Sequence, residues 1–142
     1  MAAATGSVVI NRPVGAVFAF VADGLNGPSW RSGVLDVEHV SGHGVGAVYR
    51  QGAKGPGGRR VPADYEITAY EQDRLIAFRA IAGPVRPTGD YRFEAVKGGT
   101  RLTFSLRADL GGWKRLVMGG AVQRTMDAEI AALGGLKTLL ES

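Results

Sequence analysis

Two histidines are the only side chains in this sequence that could bind a transition metal through a ring nitrogen, and no cysteine is present. His39 and His43 lie on a predicted strand and on the turn that follows it. Their spacing points the two rings to different depths, and a zinc site would need two further ligands. Surface or turn histidines fit this pattern better. We therefore predict no metal site, no cysteine nucleophile and no disulfide.

The carboxylates offer no general acid or base that can be recognised from spacing. A catalytic carboxyl group needs an apolar environment that raises its pKa, so we expect it on the buried face of an element. The acidic residues of the strands alternate onto the solvent-exposed faces, and one more ends a predicted helix: Asp36, Asp64, Glu66, Asp90 and Glu94, then Asp23. No nucleophile–base pair can be identified. The catalytic residues are therefore unknown from the sequence, and it leaves open whether the protein is an enzyme.

Two glycine-rich segments resemble nucleotide-binding loops only in composition. Gly42-x-Gly44-x-x-Ala47 matches a dinucleotide fingerprint, but that motif requires a helix that begins at the glycines. A strand follows here, which indicates a hairpin turn. The segment from Gly52 to Gly58 lacks the lysine followed by serine or threonine of a phosphate-binding loop. We predict that no nucleotide or other cofactor binds.

Aromatic residues occupy the predicted buried faces of the strands. They converge on the space between the sheet and the last helix: Trp30, Tyr49, Tyr65, Phe78, Tyr91, Phe93 and Phe104. For any single one a filled core is the simpler interpretation, but together they exceed what one narrow helix stripe can cover. A buried tyrosine hydroxyl needs a partner or a wet cavity. Apolar walls with a few hydroxyls are typical of a small-molecule pocket, and Leu116 and Met126 of the last helix complete the predicted ligand-binding set.

Two arginines on the strands could add a charge to this pocket. The alternation leaves open whether Arg50 and Arg79 face the cavity or the solvent. An arginine that faced inward would need an anion, for example a ligand carboxylate.

The elements that must position these residues follow the order strand, two short helices, six strands and a long helix. A β-prone run ends at Ile10, a helix spans 13–22, and a second short helix or turn presents Trp30 inward. The six strands are predicted over 34–40, 47–51, 60–70, 75–81, 90–95 and 101–108. The strict alternation of the last two predicts an antiparallel sheet with one dry face.

The last thirty residues predict one amphipathic helix over about 112–140. Its apolar stripe is formed by Val122, Met126, Ile130, Leu133, Leu136 and Leu140. The opposite, solvated side carries Lys114, Arg124, Asp127, Glu129 and Lys137. Gly119 and Gly120 favour a bend near the cavity mouth, because glycine disfavours helix. The sequence thus predicts an α+β fold in which a curved sheet surrounds one helix.

Composition predicts one soluble domain over residues 1–142. The chain is 45% hydrophobic and 21% charged, and its net charge of +4 is spread thinly. No apolar run approaches the roughly 20 residues of a membrane span, and the N-terminus has no signal-peptide pattern, so we expect a cytoplasmic protein without integral membrane association. The basic residues are not interleaved with exposed aromatics, so we expect no nucleic-acid partner. A homodimer is left open.

Several segments resemble the START-like (SRPBCC) superfamily, which includes the polyketide cyclase/dehydrase and lipid-transport proteins and the birch-pollen-allergen-like fold. They are 13–23 with 26–30, then 44–49, 65–71 and 99–104. The resemblance covers about 8–140 and lies in framework positions. It implies a helix-grip fold: a seven-stranded antiparallel sheet wrapped around a long C-terminal helix, two short helices between strands 1 and 2, and an apolar cavity between sheet and long helix.

Three functions fit this sequence. The first is the binding of a small hydrophobic or aromatic molecule, lipid-like or polyketide-like, in the cavity. The second is an enzyme of the polyketide cyclase/dehydratase type, in which pocket shape and tyrosine hydroxyls would compensate for the missing inward carboxylate or histidine. The third is a protein–protein interaction module, since START-like relatives include chaperone and ribosome partners. An exposed apolar patch would favour the third, and the charged strand faces predict none.

Overall fold

The structure is a long antiparallel sheet that curves around the C-terminal helices. The computed structural model describes the backbone of residues 2–142 and the side chains of all of these except 56 and 113–118. The elements in chain order are β1 (Ala2–Ile10), α1 (Val14–Ala22), a 3-10 turn (Gly24–Asn26), α2 (Gly27–Trp30), β2 (Val34–Ser41), β3 (Val48–Lys54), a second 3-10 turn (Pro56–Gly58), β4 (Arg60–Pro62), β5 (Tyr65–Glu71), β6 (Leu75–Ala80), β7 (Thr88–Val96), β8 (Gly99–Ala108), α3 (Gly112–Ala131) and α4 (Leu133–Glu141).

The sheet has the strand order β1-β8-β7-β6-β5-β3-β2, and β4 pairs with the outer half of β3. Alternation produces its dry face: Leu102 and Phe104 of β8 and Phe93 of β7 are buried, whereas Arg101 and Glu94 between them form an ion pair on the outer face. The helix-grip α+β prediction is confirmed.

The predicted strand over 60–70 is wrong in one respect, because it is broken into β4 and β5. Pro62 of β4 faces Gly52 of β3, and Tyr65 of β5 faces Tyr49 of the same strand. At the break the Asp64 carboxylate accepts the backbone N–H of Gln51 at 3.2 Å. The Asp64 carboxylate thus accepts a hydrogen bond that a carbonyl of the paired strand would otherwise accept. Because β4 and β5 are separate, the sheet has eight strands where seven were expected.

The long C-terminal helix is also interrupted, at Ala132 and not at the predicted glycine pair. α3 runs through Gly119 and Gly120 without a break. The Ala132 N–H lies within bonding reach of the carbonyls of residues 128, 129 and 130, which marks a tightened last turn. Of the helices in the described residues, none has the length and apolarity to cross a membrane.

The C-terminal helices lie on β1 and are held there by close side-chain packing and by hydrogen bonds. Gly6 of β1 faces Ile130, and a Cβ at position 6 would overlap the Ile130 side chain. Lys137 Nζ donates to the Val9 carbonyl at 2.8 Å, and Glu141 accepts the Asn11 N–H at 2.8 Å. Gln123 of α3 also donates to the Ala3 carbonyl at 2.8 Å, so packing and hydrogen bonds together hold the C-terminal helices against β1.

Leu136 and Leu139 make a matched test of this packing. Leu136 of α4 is fully buried against the core, whereas Leu139 is 39% exposed. We predict that Leu136→Ala lowers the free energy of unfolding by about 2–5 kcal/mol, because it leaves a cavity. Leu139→Ala has the same effect on helix propensity and should cost well under half as much. Urea denaturation of both variants measures the difference, and equal losses would contradict the packing of α4.

Candidate functional site

A cavity of about 790 Å³ separates the concave face of the sheet from α3. That volume falls in the range of roughly 300–1,000 Å³ that is usual for small-molecule pockets. Its walls are mainly apolar and come from α2, the sheet and α3; they include Trp30, Ile67, Ile76, Phe78, Leu106, Val122 and Met126. The space exists because the curved sheet offers more apolar surface than one helix covers.

Five of the predicted ligand-binding residues line this cavity: Trp30, Tyr65, Phe78, Tyr91 and Met126. Trp30 ends α2, is buried, and packs edge-to-face on Tyr91 with ring centroids 6.3 Å apart. Tyr65 and Phe78 lie on neighbouring strands and are themselves in edge-to-face contact at 5.9 Å. Leu116 lies outside the residues whose side chains are described.

The other three predicted residues lie beside the cavity lining, within the aromatic surface of the sheet. Phe104 stacks on Tyr91 with ring centroids 4.2 Å apart, and Phe93 packs edge-to-face on Phe18 at 5.0 Å. Tyr49 stacks on Tyr65 at 5.1 Å, with parallel rings. They extend the aromatic surface sideways from the lining residues and do not line the cavity themselves.

Gly24 lies against this tyrosine stack at one end of the cavity. A Cβ at position 24 would lie 2.7 Å from a ring carbon of Tyr49 and would overlap the Tyr65 hydroxyl. Only a residue without a side chain lets the 3-10 turn approach both rings. The turn therefore fixes how far the Tyr65 hydroxyl extends into the cavity.

A buried ion pair forms the polar corner of the cavity. Arg31 Nε donates to Glu129 Oε2 at 2.8 Å, and both side chains are 16% exposed. Arg31 also donates from Nη1 to Gln51 Oε1 at 3.2 Å, and the Gln51 amide donates to the Ala63 carbonyl. The bend between β4 and β5 thus holds Gln51, and Gln51 holds Arg31.

Local backbone structure places both charges. Arg31 follows α2 directly, in an extended conformation, and its N–H donates to the Gly27 carbonyl at 2.9 Å. Glu129 lies close to Gly33, where a Cβ would be in ordinary van der Waals contact with Oε1 at 3.6 Å. The segment that follows α2 and the helix α3 therefore meet at the ion pair.

The solvated position predicted for Glu129 is wrong, and so is the absence of an inward carboxylate. Glu129 is three residues after Met126 and next to Ile130, so it borders the apolar stripe on the side that faces the cavity. Its position beside the apolar stripe is the sequence feature that could have identified Glu129. No sequence feature identified Arg31, because its partner is 98 residues away along the chain.

Arg50 and Arg79 both face outward. Arg50 pairs with Glu38 at 3.0 Å, and Arg79 pairs with Glu66 at 2.7 Å. These pairs lie on the exposed face of the sheet and supply no charge to the cavity. Among the described residues, Arg31 is the arginine that reaches the shielded part of the cavity.

The charges of the corner are set by burial and pairing. Burial lowers the pKa of Arg31, but the Glu129 carboxylate and the neighbouring tyrosines together raise it by more, so the guanidinium stays charged. Burial raises the pKa of Tyr65 and of Tyr91, and the Arg31 charge offsets only part of this rise. Both hydroxyls therefore remain protonated donors at neutral pH.

This corner holds hydrogen-bond donors that the protein does not use. A guanidinium has five N–H donors, and the described residues engage two of those on Arg31. Within the described part of the chain the hydroxyls of Tyr65 and Tyr91 form no hydrogen bond. Such a set can hold a ligand oxygen or stabilise an enolate, and Glu129 can accept a proton.

Comparison with known proteins gives the family. Residues 1–141 match the family model described as polyketide cyclase/dehydrase and lipid transport. The chain belongs to that family. No curated protein sequence matches it.

Three solved structures show the same fold as this polyketide cyclase/dehydrase and lipid transport family member. TTHA0849 from Thermus thermophilus is 20% identical, covering 97% of this chain and 96% of that one, with a TM-score of 0.81. A START superfamily protein from Mycobacterium smegmatis is 12% identical, covering 98% and 97%, with a TM-score of 0.77. The Zhui aromatase/cyclase from Streptomyces sp. R1128 is 17% identical, covering 96% and 93%, with a TM-score of 0.71. At these identities the likeness shows the fold alone.

The ion pair can be tested by removing one partner and, separately, by replacing both. We predict that Glu129→Ala lowers the free energy of unfolding by about 2–3 kcal/mol, because it leaves the Arg31 charge buried without a partner. The double variant Arg31→Met with Glu129→Leu should recover most of the loss. Glu94→Ala is the matched control, since Glu94 pairs with Arg101 at the same 2.8 Å on the surface. Its cost should stay below about 1 kcal/mol, and an equal cost for both single variants would contradict the burial of the pair.

Proposed function

We propose that the protein binds a small hydrophobic or aromatic molecule, lipid-like or polyketide-like, in the cavity between sheet and α3. The observation that carries this proposal is a cavity of about 790 Å³ with apolar walls and one corner of unused donors. Trp30, Tyr65, Phe78, Tyr91 and Met126 supply the contact surface. Polar groups at Arg31 and the two tyrosines orient the ligand.

A filled core explains this geometry less well than a binding site does. An unsatisfied polar group in an apolar interior costs about 1–3 kcal/mol, so a core would avoid such donors or pair them. Here Arg31 and the two tyrosines border the cavity and keep donors that no described residue engages. An occupant with an oxygen acceptor can bond to these donors.

The family supports the proposal at a coarser level. Its description joins polyketide cyclases and dehydrases with lipid transport, and one structural neighbour is an aromatase/cyclase. All of these describe apolar or aromatic molecules held inside a protein.

The binding prediction uses a naphthalene-type dye and the intrinsic fluorescence of Trp30. The chain has two tryptophans, so Trp113→Phe leaves Trp30 as the sole emitter. We expect the dye to bind with a micromolar Kd and to change Trp30 emission, because burial of a small aromatic ring supplies several kcal/mol.

A blocking variant provides the control for that experiment. Val122→Trp fills part of the cavity from α3 and should weaken dye binding at least about tenfold, which corresponds to ~1.4 kcal/mol. Leu139→Trp adds the same side chain to the outside of α4 and should leave the calorimetric Kd unchanged. No binding at tens of micromolar to the unaltered chain would overturn the proposal.

A cyclase/dehydratase reaction is the second candidate, and the Arg31–Glu129 pair favours it. In an aldol condensation of a poly-β-ketone, Glu129 would take a proton from a methylene between two carbonyls. Arg31 would stabilise the enolate oxygen, and the enolate carbon would bond to a ketone carbon of the same chain. The protonated Glu129 carboxyl returns its proton, through a tyrosine hydroxyl, to the resulting alkoxide. Glu129 then removes a second proton from the carbon between the carbonyls, the β-hydroxyl group leaves as hydroxide, and that second proton converts it to water.

A measurement of enzymatic turnover distinguishes non-catalytic binding from a cyclase/dehydratase reaction. We expect Glu129→Gln to lower the rate of ring formation from a short aryl β-polyketone by about 100-fold while the dye still binds, since a general base contributes on the order of 10²–10⁴. The new aromatic chromophore reports the rate. Dye binding without any ring formation above the uncatalysed rate would leave non-catalytic binding as the function.

A further inference from the structure

We propose that the cavity selects ligands whose head group is a neutral oxygen acceptor, such as a ketone, phenol or amide, and discriminates against carboxylates. This inference rests on the proposed binding function and names its ligand class. The observation behind it is that the charge of Arg31 is already matched inside the protein.

The buried polar corner carries no net charge. Arg31 and Glu129 are 2.8 Å apart and equally shielded from solvent. A guanidinium paired in this way is a hydrogen-bond donor and not an unmatched cation. A ligand carboxylate at the same place would lie against the Glu129 carboxylate, and like charges in a shielded site repel strongly.

Among the residues whose side chains are described, the other charged groups around the cavity do not change this balance. Asp23, Lys54 and Arg124 also border it, but they lie at its rim, where solvent reaches them. The Asp23 carboxylate accepts the Leu25 N–H at 3.1 Å. Charges at such a rim are screened by salt, whereas the buried pair is screened much less.

The unused donors suit a neutral oxygen. The hydroxyls of Tyr65 and Tyr91 and the free N–H groups of Arg31 can bond to a carbonyl or phenol oxygen without breaking the ion pair. A carboxylate could gain the full Arg31 charge only by displacing Glu129, which would then be buried without a partner. The corner thus favours a hydrogen-bond acceptor and disfavours a negative charge.

The experiment compares two ligands of nearly the same shape, naphthalene carboxamide and naphthalene carboxylate, by calorimetry at neutral pH. We expect the unaltered protein to bind the carboxamide at least about tenfold more tightly. Glu129→Gln keeps the shape of the side chain and leaves Arg31 unmatched, so it should raise carboxylate affinity about tenfold or more and change carboxamide affinity little. Glu94→Gln alters the net charge equally on the outer face and should change neither.

The double variant Arg31→Gln with Glu129→Gln restores a neutral corner and should bind the carboxylate as weakly as the unaltered protein does. Equal or tighter binding of the carboxylate by the unaltered protein overturns the inference, and so does a Glu129→Gln variant whose preference is unchanged. If Glu129→Gln does not fold, the comparison of the two ligands on the unaltered protein still decides. Failure of both ligands and of naphthalene itself would overturn the proposed function, and the selectivity with it.

Discussion

The width of the sheet is the constraint on which this structure depends. Seven strands in one path span roughly 29 Å at a spacing of about 4.8 Å, whereas a helix with its side chains is only about 10–12 Å across. One helix cannot cover such a face if the sheet stays open. The sheet therefore curves around α3 and α4, while α1 packs against β7 and β8 and α2 packs against β2. A space remains that the described side chains leave open.

The Arg31–Glu129 pair connects the parts that surround this space. It links the segment after α2 to α3, and through Gln51 it also reaches the bend between β4 and β5. An ion pair in a shielded place contributes little net stability, but it is costly to break on one side only. The ion pair therefore specifies the position of α3 relative to the sheet. Apolar packing at residues such as Leu136 supplies most of the stability.

The sequence was sufficient for the sheet and for the aromatic wall, because both follow from local periodicity. The alternation in β7 and β8 identified the dry face and placed Tyr91 on it, and the alternation over 60–70 did the same for Tyr65. Trp30 was expected to point inward from a short helix or turn. Helical spacing found the stripe from Val122 to Leu140, but it did not find the interruption at Ala132. The ion pair could not be predicted, because it joins residues far apart in the chain whose geometry depends on how α3 lies across the sheet. The break at Asp64 was missed for a related reason: a side chain replaced a backbone acceptor, which alternation cannot reveal.

The tight contact at Gly24 has a consequence for how this fold can change. The 3-10 turn, which belongs neither to the sheet nor to α3, touches the tyrosine stack, so a side chain added there would displace the Tyr65 hydroxyl and the Tyr49 ring. The depth of the cavity is thus controlled from a surface loop whose own packing contributes little to the core. Loops tolerate replacement far better than cores do. Substitutions at this position, in natural evolution or in a directed-evolution library, could therefore change the size of ligand that the cavity accepts while the scaffold is conserved.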